Sequence, residues 1–157
     1  MAGLSLKPEE LLRCCGSRRW VERMTARAPF AGLEDLFKQA DEVWWSLEPV
    51  RGLEAFSHHP RIGDKEALRQ KWAGQEQAGA ARASEATLDG LAAGNAEYER
   101  RFRHIFIVCA TGKSADEMLA LLRQRLLNSP EDELRIAAGE QAKITRIRLE
   151  KLIKETA

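Results

Sequence analysis

GLEDLFKQADEVWWSL, residues 32–47, carries Leu33, Leu36, Phe37, Ala40, Val43, Trp44 and Leu47 at intervals of three and four. That spacing puts seven apolar side chains on one stripe of a helix, and a stripe so wide must be buried against something. The same period recurs along most of the chain, punctuated by helix-start signals. Pro8, Glu9 and Glu10 open a short helix that ends near Cys15, with proline and acids in its first turn. Ser17 can cap a second helix carrying Trp20, Val21 and Met24. Pro49 starts VRGLEAF, which runs into a double histidine. Gly63-Asp64 breaks the chain, and Asp64 can cap DKEALRQKW. An alanine-rich helix is expected from Gln75, and Thr87 can cap TLDGLAAGNAEYERRF. Ser114 and Glu117 form a capping box, and Ser129-Pro130 opens the last helix.

IFIVCA, residues 105–110, is the one strand-like run, and it has no second run to pair with. It reads as buried helix or as an extended core segment. With no internal repeat or linker, the expectation is an all-α chain: one compact domain over 1–157, of about seven to nine helices. Its 157 residues suit one domain, and 44% apolar residues suffice for a core. Charged residues amount to 31% but sum to only +1, so no field is built to attract nucleic acid or anionic lipid. No apolar run approaches a membrane span. The N-terminal MAGLSLKPEE has no basic region followed by an apolar run, so no secretory signal is expected. KLIKETA at the other end carries no lipidation box or peroxisomal ending. Three cysteines without a CxxC pair fit reduced thiols and a cytoplasmic location.

FSHHPRIGDK, residues 56–65, holds two of only three histidines. Pro60 disfavours the α region at His59, so the helix should stop there with the ring direction partly fixed. An imidazole titrates near neutrality and can take or give a proton. The plain alternative is that both histidines merely end a helix, where a cationic ring suits the dipole. Adjacent side chains diverge, only His104 remains as a third imidazole, and no HExxH pair occurs, so no metal site is expected. Glu76 and Gln77 precede a run of small residues that lets another backbone approach, which suits a pocket floor, although an exposed Glu-Gln pair is the commoner case. Arg148 shares a helical face with Ile144 and Leu152, so its guanidinium either reaches the edge or meets a buried anion. Arg125 lies at the margin of the Leu121-Leu122 stripe, and for both arginines a structural ion pair is the commoner outcome.

CCGSRRWVERM, HHPRIG, QEQAGA, NAEYERRFRHIFIVCATG, LLRQRLLNSPEDEL and ITRIRLEKL follow one another over nearly the whole chain. Together they resemble the 2-oxo-4-hydroxy-4-carboxy-5-ureidoimidazoline (OHCU) decarboxylases of urate breakdown. The resemblance implies a compact all-helical homodimer, without cofactor or metal, that converts OHCU to (S)-allantoin as a carboxy-lyase of purine catabolism. It implies that His59 is the catalytic histidine and that Pro60 touches substrate. Glu76 and Gln77 would contact the ring and its ureido arm, Glu76 also serving catalysis. Ile107, Val108, Cys109, Ala110 and Thr111 would bind substrate through their backbone. Arg148 looks like the pocket arginine, and Arg125 serves structure. Ala73 stands where the family often has serine, and Arg103 where it has glycine after YE-x-KF. The rival from another class is a non-catalytic helical interaction module using the Trp44-Trp45 stripe and the last helix.

Overall fold

The computed structural model describes residues 3–59, 85–109 and 113–156. Seven helices lie among the described residues: α1 (Pro8–Cys14), α2 (Arg18–Arg27), α3 (Leu33–Ser46), α4 (Pro49–Ser57), α5 (Glu85–Phe102), α6 (Ala115–Arg125) and α7 (Pro130–Thr156). No strand lies among them; a single antiparallel bridge joins Leu4 to Phe30. The all-α expectation holds. No described helix is long and apolar enough to cross a membrane. The proposed cap at Asp64 and the helix from Gln75 fall outside the described residues.

The chain divides into two compact units. The first takes in α1 to α4, Ile107–Cys109 and α7 from Ala137 onward. Its helices begin where the sequence signals place them. Ser17 Oγ accepts the Trp20 N–H at 3.2 Å, and the Lys7 N–H donates to Glu10 Oε1 at 2.9 Å. Each satisfies a group that the helix end leaves without an intrahelical partner. On α3, Leu36, Ala40, Val43 and Trp44 are buried, while Leu33, Phe37 and Leu47 flank them half-buried. Both buried indoles also satisfy their polar edge: Trp20 Nε1 donates to Ala40 O at 3.1 Å, and Trp44 Nε1 to Ala138 O at 3.0 Å. Trp44 is therefore spent on the core, and only Trp45 of the aromatic pair is exposed.

The second unit takes in α5, α6 and the start of α7. α5 and α6 pack closely because two glycines on α5 carry no side chain there. A Cβ at Gly94 would lie 2.6 Å from Leu122 Cδ2, and one at Gly90 3.0 Å from Leu119 Cδ2. The capping box at α6 is complete: Glu117 N–H donates to Ser114 Oγ and Ser114 N–H to Glu117 Oε1. Thr87 is not the cap of α5; the helix already runs at Glu85, and the Thr87 hydroxyl donates to Asp116 Oδ1 on α6 at 2.5 Å.

Arg125 is buried rather than at the margin of its stripe, and it forms the structural ion pair expected of it. Its Nε donates to both carboxylate oxygens of the fully buried Glu133, at 3.1 and 2.8 Å, and its Nη2 reaches Oε2 at 2.5 Å. The Tyr98 hydroxyl donates to the same carboxylate, and Asn128 Nδ2 donates to it at 3.2 Å. Arg125 also stacks over the Phe106 ring, 4.6 Å from its centroid. A buried carboxylate with this many donors is a structural ion pair. His104 belongs to this cluster too, edge-on to Tyr98 at 5.5 Å. Arg103, in place of the family glycine, keeps the turn that glycine would make: its φ is +62°, and its N–H still donates to Glu99 O at 2.9 Å. For an L side chain that conformation costs about 1 kcal/mol or more.

Candidate active site

α4 ends as the sequence requires. His58 takes an αR cap conformation, and the N–H groups of His58 and His59 bond back to Ala55 O and Phe56 O at 3.2 Å each. The two rings then part company. His58 packs on Gly16, where an added Cβ would lie 2.5 Å from His58 Cγ and 2.6 Å from its Cβ. His59 is half-buried and faces α7.

Three residues of α7 build the surroundings of His59. Gln141, Thr145 and Arg148 are spaced by four and three, so they share one face of the helix. His59 Nε2 meets Gln141 Oε1 at 2.5 Å, and Gln141 Nε2 donates to Thr145 Oγ1 at 3.0 Å. On the other side of the ring, Arg148 Nη2 lies 3.4 Å from His59 Nδ1, and Arg148 Nη1 lies 3.4 Å from Arg13 O. Gln141 and Thr145 are buried, and Arg148 is half-buried. Among the described residues the guanidinium meets an imidazole and a main-chain carbonyl.

This setting disfavours the imidazolium. Burial holds the His59 pKa below its usual 6.5; the Gln141 hydrogen bond opposes it, and the positive charges of Arg148 and His58 push the same way as burial. At neutral pH His59 is an uncharged imidazole, which is the form that accepts a proton. Behind it the thiols are inert: burial raises Cys14 to about 11 and Cys15 to about 12.

Ile107–Cys109 belongs to the same unit as His59 and α7. Residues 105–109 are neither helix nor strand, so the extended alternative for IFIVCA is the one adopted. Ile107 and Cys109 are buried and Val108 is half-buried. The Cys109 N–H donates to Glu140 Oε1 at 2.9 Å, one residue before Gln141, and Glu140 Oε2 holds Lys143 at 2.7 Å. Of the residues expected at the site, the structure thus brings Arg148 against His59 and ties Cys109 to the neighbouring turn of α7. Pro60, Glu76, Gln77, Ala110 and Thr111 lie outside the described residues, as does Ala73. Among the described residues, no three His, Cys, Asp or Glu side chains group so as to hold a metal ion.

Sequence reasoning passed over Gln141, Thr145 and Gly16. A signal for the first two exists in EQAKITRIRL: polar residues at i, i+4 and i+7 on one face call for polar partners. Gly16 has no such signal, because its neighbour His58 is 42 positions away in the chain. Gly16→Ala is expected to displace His58 and, through it, the adjoining His59. A misplacement of this kind lowers kcat/KM by about tenfold or more, and the overpacking costs about 1–3 kcal/mol. Steady-state kinetics and a thermal melt check both.

The chain is similar to several known proteins over most of its length. The Arabidopsis thaliana uric acid degradation bifunctional protein TTL is 34% identical over 161 residues, covering 98% of this chain and 49% of its own length. The chain thus spans about half the length of that relative. The 2-oxo-4-hydroxy-4-carboxy-5-ureidoimidazoline decarboxylase of Amia calva is 32% identical over 131 residues, covering 80% of this chain and 74% of its own. The crystal structure of OHCU decarboxylase in the presence of (S)-allantoin matches with a TM-score of 0.79 at 36% identity, over 95% of this chain and 99% of the other. Since the sequence pattern of OHCU decarboxylase also runs through residues 7–150, the chain belongs to the OHCU decarboxylase family.

Proposed function

We propose that residues 1–157 act as one domain that decarboxylates OHCU to (S)-allantoin in urate degradation, with His59 as proton acceptor. The observation that carries the reading is the neutral imidazole of His59, held between Gln141 and the guanidinium of Arg148. A base and a carboxylate-binding fork side by side are what this substrate needs. Its reacting carbon bears both a hydroxyl and a carboxylate and adjoins a C=N bond.

In this mechanism Arg148 takes the substrate carboxylate. The bond to that carboxylate breaks, its electron pair moves into the conjugated C=N system, and carbon dioxide leaves. The hydroxyl proton passes to His59, while ring nitrogen and ring carbon each gain a proton. One proton is therefore taken up overall. Delivery to one face of the ring carbon sets the S configuration. No electron sink beyond the substrate's own C=N is required, so no cofactor enters. Glu76 and Gln77 would hold the ring and ureido N–H groups, Pro60 would line the site, and Ile107 to Thr111 would offer main-chain groups. The Cys109 N–H is already given to Glu140.

Three free, buried cysteines support a reducing, cytoplasmic location. The homodimer follows from the family resemblance, and exposed Trp45 and Leu53 offer apolar surface for it. The enzyme reading requires that the purified protein speed the loss of freshly made OHCU; a helical interaction module would leave the spontaneous rate untouched.

The pH dependence has a definite sign. Because the His59 pKa lies below 6.5, more acid than usual is needed to protonate the base. kcat/KM is therefore expected to fall on the acid side with its midpoint below pH 6.5. Burial of the ring is the main cause of this limb's position; the Gln141 hydrogen bond opposes it, and the charges of Arg148 and His58 add to it. An acid limb above pH 6.5 would contradict the assignment.

A further inference from the structure

Gln141 has no place in the reaction as described, yet it is fully buried and makes the shortest contact to the base. The question it answers is which nitrogen of His59 carries the proton. A neutral imidazole offers one donor and one acceptor, and only the acceptor can take a proton from substrate.

Two contacts on opposite sides of the ring give the same answer. A guanidinium has donors and no acceptor, so the nitrogen facing Arg148 Nη2, which is Nδ1, must present its lone pair. On the far side, Nε2 faces the amide oxygen of Gln141 and must carry the hydrogen. An amide can be turned end for end, so its orientation needs a cause. Thr145 supplies it. Thr145 Oγ1 accepts from Gln141 Nε2 at 3.0 Å on the side away from the ring. With Thr145 as acceptor, Gln141 must turn its NH2 toward Thr145 and its oxygen toward His59.

We infer that Gln141 is a positioning residue: through a relay from His59 Nε2–H to Gln141 and on to Thr145, it fixes the tautomer and makes Nδ1 the atom that accepts the substrate proton. The inference rests on the decarboxylase reading for the origin of the proton, not for the tautomer itself. It also gives Arg148 two successive partners. The guanidinium lies against Nδ1, and a substrate carboxylate that draws it away uncovers the base at the moment substrate binds.

The tautomer is read without substrate, from the ring-nitrogen shifts and long-range proton couplings of His59 in 15N-labelled protein at pH 7.5, with His59→Gln locating its signals. Wild type is expected to be Nε2–H. Thr145→Val removes the acceptor for the amide, lets Gln141 turn, and is expected to give a mixture with Nδ1–H. Gln141→Leu, close in volume, is expected to do the same and to lower kcat by about 10-fold or more with little change in KM, within the roughly 10²–10⁴-fold that acid–base catalysis supplies. Melting curves select whichever variant is folded, so either one serves. Nδ1–H in wild type would overturn the inference, as would an unchanged tautomer with unchanged kcat in a folded variant. Absence of OHCU turnover in wild type with the Nε2–H form present would sink the decarboxylase reading while leaving the tautomer assignment in place.

Discussion

His59→Ala is expected to lower kcat on OHCU by about 10²-fold or more, the lower bound of what positioned acid–base catalysis contributes. The loss belongs in kcat rather than KM, because the imidazole acts on a proton that moves during reaction, whereas carboxylate binding is left to Arg148. Removal of the ring also leaves the Gln141 oxygen without its donor and Arg148 without its covering contact. His59 is only half-buried at the end of α4, so the fold should survive the change. Because OHCU also decays spontaneously, the rate must be taken above the uncatalysed background. A loss smaller than about tenfold would remove His59 from the chemistry.

The largest stability effect is expected in the second unit, at Arg125→Ala. Glu133 is fully buried, and its carboxylate is held by Arg125 through both oxygens. Removing the guanidinium strands a negative charge away from water, with only the Tyr98 hydroxyl, Asn128 and main-chain amides of the first turn nearby. Breaking one partner of such a pair costs about 3–5 kcal/mol, or a fall in Tm of roughly 10 °C for a chain of this size. The double variant Arg125→Met/Glu133→Met is expected to cost less than the sum of its single changes, because no unpaired charge remains. Denaturant melts of the four proteins test this. Additive losses would mean that the two side chains act independently.

Much of the fold was legible because its signals are local. Ser17, Ser114 with Glu117, and the prolines at 8, 49 and 130 mark helix starts through groups within four residues of one another. The α3 stripe is legible for the same reason, since burial follows the helical period. What escaped notice depends on partners far off in sequence. Thr87 looks like a cap from its neighbours, yet its hydroxyl serves Asp116 across to α6. Arg125 looks marginal until Glu133 arrives from the start of α7. Arg103 stands where the family has glycine, and its backbone takes the left-handed turn all the same.

The site divides in the same way. The proline after His59 and the helical phase of Arg148 with Ile144 and Leu152 are local and were read directly. That Arg148 would meet the His59 imidazole was not, because α4 and α7 are separated by most of the chain. Gln141 went unnoticed as one more polar residue in a long amphipathic helix. Its meaning comes only from the ring placed against it.

The most direct test follows the circular dichroism of allantoin as it forms from freshly generated OHCU with the wild-type protein. A neutral base and a forked cation holding one orientation of the substrate predict a signal of the S sign that grows in proportion to enzyme concentration. Racemic allantoin, appearing at the spontaneous rate whatever the amount of protein, would contradict the account.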